Sequence, residues 1–182
     1  MNTKYLLNYF ENELSMFNTN FAEIKKGITL HGAYGVGNAM YPIGNLIGLR
    51  WIISALKELN YNTTELDKKL TELNSEVEKF NNENGDEYSR ILFSDLKKLI
   101  DYYEAHFKDF QEEKNNIRTT EGIDPLYKDY FLKREEGLFF PDEYEFENAI
   151  TTRTYIENLF EYLSKDFDVT QLRDKVKKLD NI

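Results

Sequence analysis

The sequence contains no cysteine, which excludes disulfide bonds, thiolate metal sites and cysteine nucleophiles. It has only two histidines, His31 and His106. Neither stands in a Glu-x-x-His or His-Glu-x-x-His pattern, so the ligand sets of di-iron bundles and of zinc peptidases are absent. We therefore expect no metal and no organic cofactor. Because no complete catalytic set is present, a binding role is favoured over an enzymatic one.

Long apolar runs are also missing. The most apolar segment, residues 41–56, contains Asn45 and Arg50, and it is shorter than the roughly 20 residues that a membrane-spanning helix needs. We interpret it as a buried helix. The first residues lack the pattern of a signal peptide, so we expect a cytoplasmic protein without membrane contact.

Positive charge is in deficit, with 23 Lys and Arg against 33 Asp and Glu and a net charge of −10. Most of the excess lies after residue 60, since residues 61–120 carry nine basic and fourteen acidic groups and residues 121–182 carry nine and fifteen. Such a surface repels nucleic-acid phosphate and anionic lipid. We expect no direct nucleic-acid binding and a protein partner with a basic surface. The alternative is that the acidity only maintains solubility.

Glycine is scarce outside one window. Six of the nine glycines fall within it, at Gly27, Gly32, Gly35, Gly37, Gly44 and Gly48. Elsewhere apolar residues recur at helical spacing. The sequence therefore predicts an all-α fold, a single-domain bundle of about six to seven helices over residues 1–182. It places a Gly-rich loop at 27–41, between helices 1 and 2, and an exposed loop at 114–124.

The first two helices are bounded by clear signals. Apolar spacing predicts the first over residues 4–24, with Asn2 or Thr3 as its cap and a polar triplet at 18–20 where it could break. Pro42 suits the first turn of the second helix, which extends to about residue 59. Gly44 and Gly48 lie one turn apart in it, a spacing that lets another helix approach closely.

The remaining helices follow from spacing and breakers. Thr63 or Thr64 caps a third, the chain breaks at 81–85, and a fourth extends to about residue 113. Pro125 opens a short fifth helix to residue 136. A sixth covers 141–167, and a seventh follows Asp168 or Thr170.

The third helix carries a heptad seam, an alternation of four- and three-residue spacings. Its members are Leu66, Leu70, Leu73, Val77 and Phe80. Two heptads favour a helical hairpin inside the domain, with self-association through the seam as the alternative.

The Gly-rich window matches no phosphate-binding motif. Asn38 stands where a P-loop has lysine, and Met40 stands where the dinucleotide fingerprint has its third glycine. The window could still bind an anion through backbone N–H groups near the following helix start. The suspected ligand-binding residues are His31, Tyr34, Gly35, Gly37, Asn38 and Arg50. Structural turning and a protein contact are the alternatives.

A second suspected site alternates acidic and aromatic residues near the start of the sixth helix. It consists of Asp142, Glu143, Tyr144, Glu145, Phe146 and Glu147. We interpret it as a patch that docks onto a basic partner. The alternative is a solvated helix start in which the acids interact favourably with the helix dipole.

These features favour an acidic helical protein-interaction module, and specifically an inhibitor that covers a basic, nucleic-acid-facing surface of a target protein. The alternative function is an enzyme or sensor that binds a small phosphorylated ligand at the Gly-rich loop. A scaffold that self-associates through the seam is the third. The composition, rich in Asn, Lys, Glu, Ile, Tyr and Phe, is typical of AT-rich genes of bacteria and their mobile elements, phage included.

Overall fold

The computed structural model describes residues 2–27, 38–106 and 144–180, and for residues 144–150 it describes the backbone only. These ranges contain six α-helices, one 3-10 turn and no strand. In chain order they are α1 (Thr3–Lys25), the 3-10 turn (Asn38–Met40), α2 (Tyr41–Glu58), α3 (Thr64–Glu83), α4 (Glu87–Ala105), α5 (Tyr144–Leu163) and α6 (Thr170–Asp180). The predicted all-α bundle is confirmed. Residues 28–37 of the Gly-rich loop, the loop at 114–124 and the helix at 125–136 lie outside the described residues.

The chain divides into two compact units. Among the described residues, the first unit comprises 2–27 and 38–92, and the second comprises 93–106 and 144–180. Helix α4 crosses the boundary between Leu92 and Phe93. The assignment of the whole chain to one domain stays a prediction.

Helix α1 is amphipathic and begins at the cap that the sequence predicts. Asn2 Oδ1 accepts a hydrogen bond from the N–H of Lys4 at 2.9 Å, as an N-cap asparagine does. One face buries a stripe of apolar side chains, namely Leu6, Phe10, Phe17, Phe21 and Ile24. The break expected at 18–20 is wrong, because α1 is continuous there. The amide of Asn20 donates to Asn45 Oδ1 of α2 at 2.9 Å, so its polar group is satisfied without leaving the helix.

Helix α2 is mostly buried, as its apolar sequence predicts. Pro42 lies in its first turn, where a missing N–H costs no intrahelical hydrogen bond. The helix ends in a Schellman motif. The N–H of Tyr61 donates to the carbonyl of Leu56 at 3.0 Å, and the N–H of Asn60 donates to that of Lys57 at 2.9 Å. Asn60 adopts the left-handed φ of +57° that this motif requires.

The heptad seam of α3 packs against other helices of the same chain. Leu73 and Val77 are buried. The ring of Phe80 makes edge contacts with Phe21 of α1 and Tyr88 of α4, at centroid distances of 5.5 and 5.9 Å. Thr63 lies at the predicted N-cap position, but its side chain makes no capping hydrogen bond. Its hydroxyl donates to Asp67 Oδ2 at 2.8 Å, and Asn62 Oδ1 accepts from the N–H of Thr64 at 3.1 Å.

The turn between α3 and α4 is organised by Asn81, although the sequence predicts a break there. Helix α3 continues to Glu83, and the chain reverses through Gly85 and Asp86, both at a φ of +61°. The buried Asn81 side chain accepts from the N–H of Ser89 at 3.0 Å and donates to Asp86 Oδ1 at 3.1 Å. It thereby takes the role of an N-cap for α4 from the preceding helix.

In the second unit, α5 corresponds to the helix predicted over 141–167. Ile156, Leu159, Phe160 and Leu163 form its fully buried face. Helix α6 corresponds to the last predicted helix, and Asp168 Oδ1 accepts from the N–H of Thr170 at its start at 3.0 Å. Helix α4 ends at Ala105 rather than near residue 113. The chain from 107 to 143 lies outside the described residues.

Candidate functional site

The suspected ligand-binding residues are described only in part. His31, Tyr34, Gly35 and Gly37 lie outside the described residues. Asn38 opens the 3-10 turn, and Arg50 is exposed on α2. Arg50 lies about 14 Å along the helix axis from Tyr41, the first residue of α2, at about 1.5 Å per residue. The suspected ligand site stays a prediction, because four of its six residues lie outside the described residues.

The described end of the Gly-rich window is anchored to the first unit. Ala39 and Met40 are buried, and the hydroxyl of Tyr88 in α4 donates to the carbonyl of Ala39 at 2.6 Å. A 3-10 turn fixed in this way shapes the entry of the chain into α2. The structural interpretation of the window therefore has support at this end.

The acidic-aromatic patch falls at the start of α5. Asp142 and Glu143 lie outside the described residues. Tyr144, Glu145, Phe146 and Glu147 have helical backbone in the first turns of α5, and their side chains are outside the described part. The patch stays a prediction.

Self-association through the heptad seam would require contacts inside the chain to open. Leu66 and Leu70 are half-buried, whereas Leu73 and Val77 are 3% and 0% exposed. The most buried part of the seam is therefore already packed within the first unit.

Histidine and carboxylate side chains are the possible metal ligands in the described ranges of this cysteine-free chain. There, no group of three His, Asp or Glu side chains is placed to hold a metal ion. The ring of His106 packs on that of Tyr102, with centroids 4.2 Å apart.

One strongly acidic surface is fully described, on α3 and the turn that follows it. Residues 64–87 contain eight acidic and three basic residues, a net charge of −5 and so half of the chain's total. Seven of the eight carboxylates are exposed: Glu65, Glu72, Glu76, Glu78, Glu83, Asp86 and Glu87. We call this surface the acidic face.

Neighbouring lysines neutralise the acidic face only in part. Lys25 of α1 pairs with Glu76 at 2.8 Å, and Lys57 of α2 pairs with Asp67 at 2.8 Å. The hydrogen bond from Lys57 holds the pKa of Asp67 below its ordinary value. With these two lysines included, three negative charges remain in excess, so the acidic face carries net negative charge into solvent.

A second charged cluster lies in the second unit, and the sequence analysis missed it. Arg153 of α5 is 7% exposed, and its Nε and Nη2 donate to both oxygens of Asp180 in α6 at 2.9–3.0 Å. Its Nη1 donates to Glu157 Oε2 at 3.2 Å, and Glu157 Oε1 accepts from Arg173 Nη1 at 2.6 Å. The hydroxyl of Tyr103 in α4 donates to Asp180 Oδ1 at 3.0 Å.

The electrostatics of this cluster favour its charged forms. Burial alone would raise the pKa of Glu157, but hydrogen bonds and charge from Arg173 and Arg153 outweigh it and hold that pKa below its ordinary value. Burial and the adjacent Asp180 carboxylate raise the pKa of Tyr103, so its hydroxyl stays protonated as a donor. The cluster links three helices by charge-assisted hydrogen bonds.

A third polar cluster lies between α1 and α2. Glu13 is 9% exposed, and its Oε2 accepts from Asn45 Nδ2 at 2.8 Å. Burial raises the pKa of Glu13, and the hydrogen bond from Asn45 offsets part of that rise. The sequence contains a signal that we overlooked. Glu13 lies three residues after Phe10 and four before Phe17, so helical spacing places it on the same buried face. For Arg153 and Asp180 no such signal exists, since 27 residues separate them.

Comparison of the chain with protein-family models, with curated proteins and with solved structures finds no match. Within the described ranges, every helix is too short or too polar to cross a bilayer.

Proposed function

We propose that the protein is an interaction module that binds a basic surface of a partner protein, and that it acts as an inhibitor by covering a surface that faces nucleic acid. The observation that carries the proposal is the acidic face. Half of the net charge is concentrated on one helix and its following turn, with seven carboxylates exposed. A partner with clustered Lys and Arg is attracted to such a surface and steered onto it.

The first unit can present this surface rigidly. Leu73 and Val77 are buried beneath it, Phe80 is held between aromatic rings, and Asn81 fixes the turn. A surface carried on a packed helix loses little conformational entropy on binding. The acidic face is therefore suited to bind without rearrangement.

The test is capture of partners from a cell lysate with three forms of the full chain. The first is the wild type, and the second loses three charges of the acidic face through Glu65→Gln, Glu72→Gln and Glu83→Gln. The third is a control that loses three exposed acids elsewhere, through Glu11→Gln, Glu58→Gln and Asp166→Asn. We expect a protein retained by the wild type and by the control to be lost from the acidic-face variant.

Salt and competition complete the test. Retention should fall between about 0.1 and 0.5 M salt, as screening shortens the range of the interaction. The captured partner should lose its binding to nucleic acid when the wild-type chain is added. Retention that is indifferent to salt, or equal in the two variants, would contradict the proposal.

The alternative function gives a different result in a thermal-shift screen. If the Gly-rich loop bound a phosphorylated small molecule, a nucleotide at 100 times its dissociation constant would add about 2.7 kcal/mol of stability. An interaction module of the kind proposed here gives no such shift with nucleotides.

A further inference from the structure

Helix α6 is short and is only partly buried. It spans 11 residues, a length at which an isolated helix is unstable in water. Val176 is its one fully buried side chain, with Leu172 and Leu179 half-buried. Its helical state therefore depends on its attachment to α4 and α5.

That attachment is largely ionic. Lys175 Nζ lies 2.6 Å from Glu104 Oε2 and 3.5 Å from Asp101 Oδ1, both in α4. Arg173 bonds to Glu157 of α5, and its guanidinium lies 4.6 Å from the ring centre of Phe160. Each of these two basic residues of α6 thus meets acidic side chains of a neighbouring helix.

The last turn of α6 makes the opposite pairing. Asp180 is held by Arg153 and by the hydroxyl of Tyr103. The surface beneath α6 therefore has groups that pair with two basic side chains, Arg173 and Lys175, and with a carboxylate, Asp180, up to two helical turns later. A helix that binds this surface should carry the same order of charges.

We propose that α6 is a displaceable occupant of this surface, and that the surface accepts a basic amphipathic helix of a partner protein in its place. Half-exposed ion pairs such as that of Lys175, whose side chain is 39% exposed, are weakened by screening and exchange readily with competing charges. Helix α6 holds its place because the short connection at 164–169 gives it a high effective concentration. To displace α6, a partner helix needs the same order of charges and an affinity high enough to outweigh the effective concentration of the tethered α6.

This surface uses no residue of the acidic face, so its test is independent of the proposed function. The first measurement is hydrogen exchange of the full chain. We expect amides 173–180 to exchange about two- to fivefold faster in Lys175→Gln than in the wild type, while those of α1 and α2 are unchanged. The matched control is Lys178→Gln, which removes the same charge from an exposed position of the same helix and should behave as the wild type.

The second measurement uses a fluorescent peptide with the sequence of residues 168–180 as the probe. It should bind the full chain carrying Lys175→Gln about two- to fivefold more tightly than the wild type, where the intact α6 competes. A peptide carrying Arg173→Gln and Lys175→Gln should bind neither form. The inference would be overturned if the amides of α6 exchanged only when the rest of the chain unfolds. Equal binding of the peptide to both forms would also overturn it.

Discussion

Glu13 of α1 occupies the space that a side chain at Gly48 of α2 would need. A Cβ atom built on Gly48 would lie 3.3 Å from Glu13 Oε2, closer than ordinary van der Waals contact. The same oxygen accepts the hydrogen bond from Asn45, which holds the carboxyl next to Gly48. The small residue at 48 thus leaves room for the carboxyl of Glu13. The close approach of another helix at Gly44 and Gly48 stays a prediction.

The contact between Glu13 and Gly48 is measurable as a coupling energy. Gly48→Ala gains about 1 kcal/mol of helix propensity, but it pushes against a carboxyl that is held in place. In a Glu13→Ala background that obstacle is absent. We expect Gly48→Ala to be more favourable in that background by about 0.5–3 kcal/mol, measured by urea unfolding of the four forms. Equal effects in both backgrounds would show that the carboxyl moves aside without cost.

The buried acid makes stability depend on pH. Because burial raises the pKa of Glu13 in the folded state, folding favours its protonated form. This contribution is fully present below the unfolded pKa and is lost as the pH rises through the higher folded value. Glu13→Gln keeps an acceptor for Asn45 and cannot ionise. Its stability relative to the wild type should therefore increase from about pH 4.5 to pH 7, by about 1.4 kcal/mol for each unit of pKa shift.

Glu157 provides the control of opposite sign in the same measurement. Its pKa is held below the ordinary value, so its contribution is present above the unfolded pKa and is lost as the pH falls through the folded value. The stability lost in Glu157→Gln should therefore shrink as the pH is lowered below about 4.5. If both variants followed the wild type in parallel at every pH, neither carboxyl would have the environment described.

The helices and several caps could be predicted from sequence, because spacing and capping are local. Asn2 and Asp168 cap the helices that the pattern assigns to them. The break predicted at 81–85 begins three residues early, because α3 continues to Glu83. Asparagine is a common breaker, but Asn81 is helical and caps the next helix with its side chain, which is a tertiary role.

The candidate sites could be predicted less well, since they depend on which helices meet. Asn38 and Arg50 have side chains suited to an anion, but the other four residues of the suspected site lie outside the described residues, so that site stays a prediction. The pairing of Arg153 with Asp180 depends on the docking of α6, which no spacing rule specifies. The acidic face could be predicted from the sequence, because eight carboxylates within 24 residues form a clear excess of negative charge.

The role of Asn81 gives a prediction for the hairpin of α3 and α4. Asn81→Ala removes the acceptor of the Ser89 N–H and the donor to Asp86. The loss of the buried hydrogen bond to Ser89 and of the part-buried one to Asp86 should lower the free energy of unfolding by about 1–3 kcal/mol. Asn82→Ala, an exposed neighbour in the same turn of helix, should change it by less than about 0.5 kcal/mol. Thermal or urea unfolding distinguishes the two, and equal effects would contradict the capping role.

The geometry of Arg153 predicts that its shape matters beyond its charge. Arg153→Lys keeps one positive charge but cannot reproduce the three hydrogen bonds to the two oxygens of Asp180. Because Arg153 is buried, solvent does not replace those bonds, and the variant should lose about 1.5–3 kcal/mol of unfolding free energy. The matched control is Arg90→Lys, at an exposed site where the guanidinium bonds to backbone carbonyls. There we expect a loss below about 1 kcal/mol.

The difference between the Arg153 and Arg90 variants should persist in about 0.5 M salt, since screening acts weakly on buried pairs. A difference that disappears in salt would mean that Arg153 is attached to Asp180 by long-range charge and not by its hydrogen bonds.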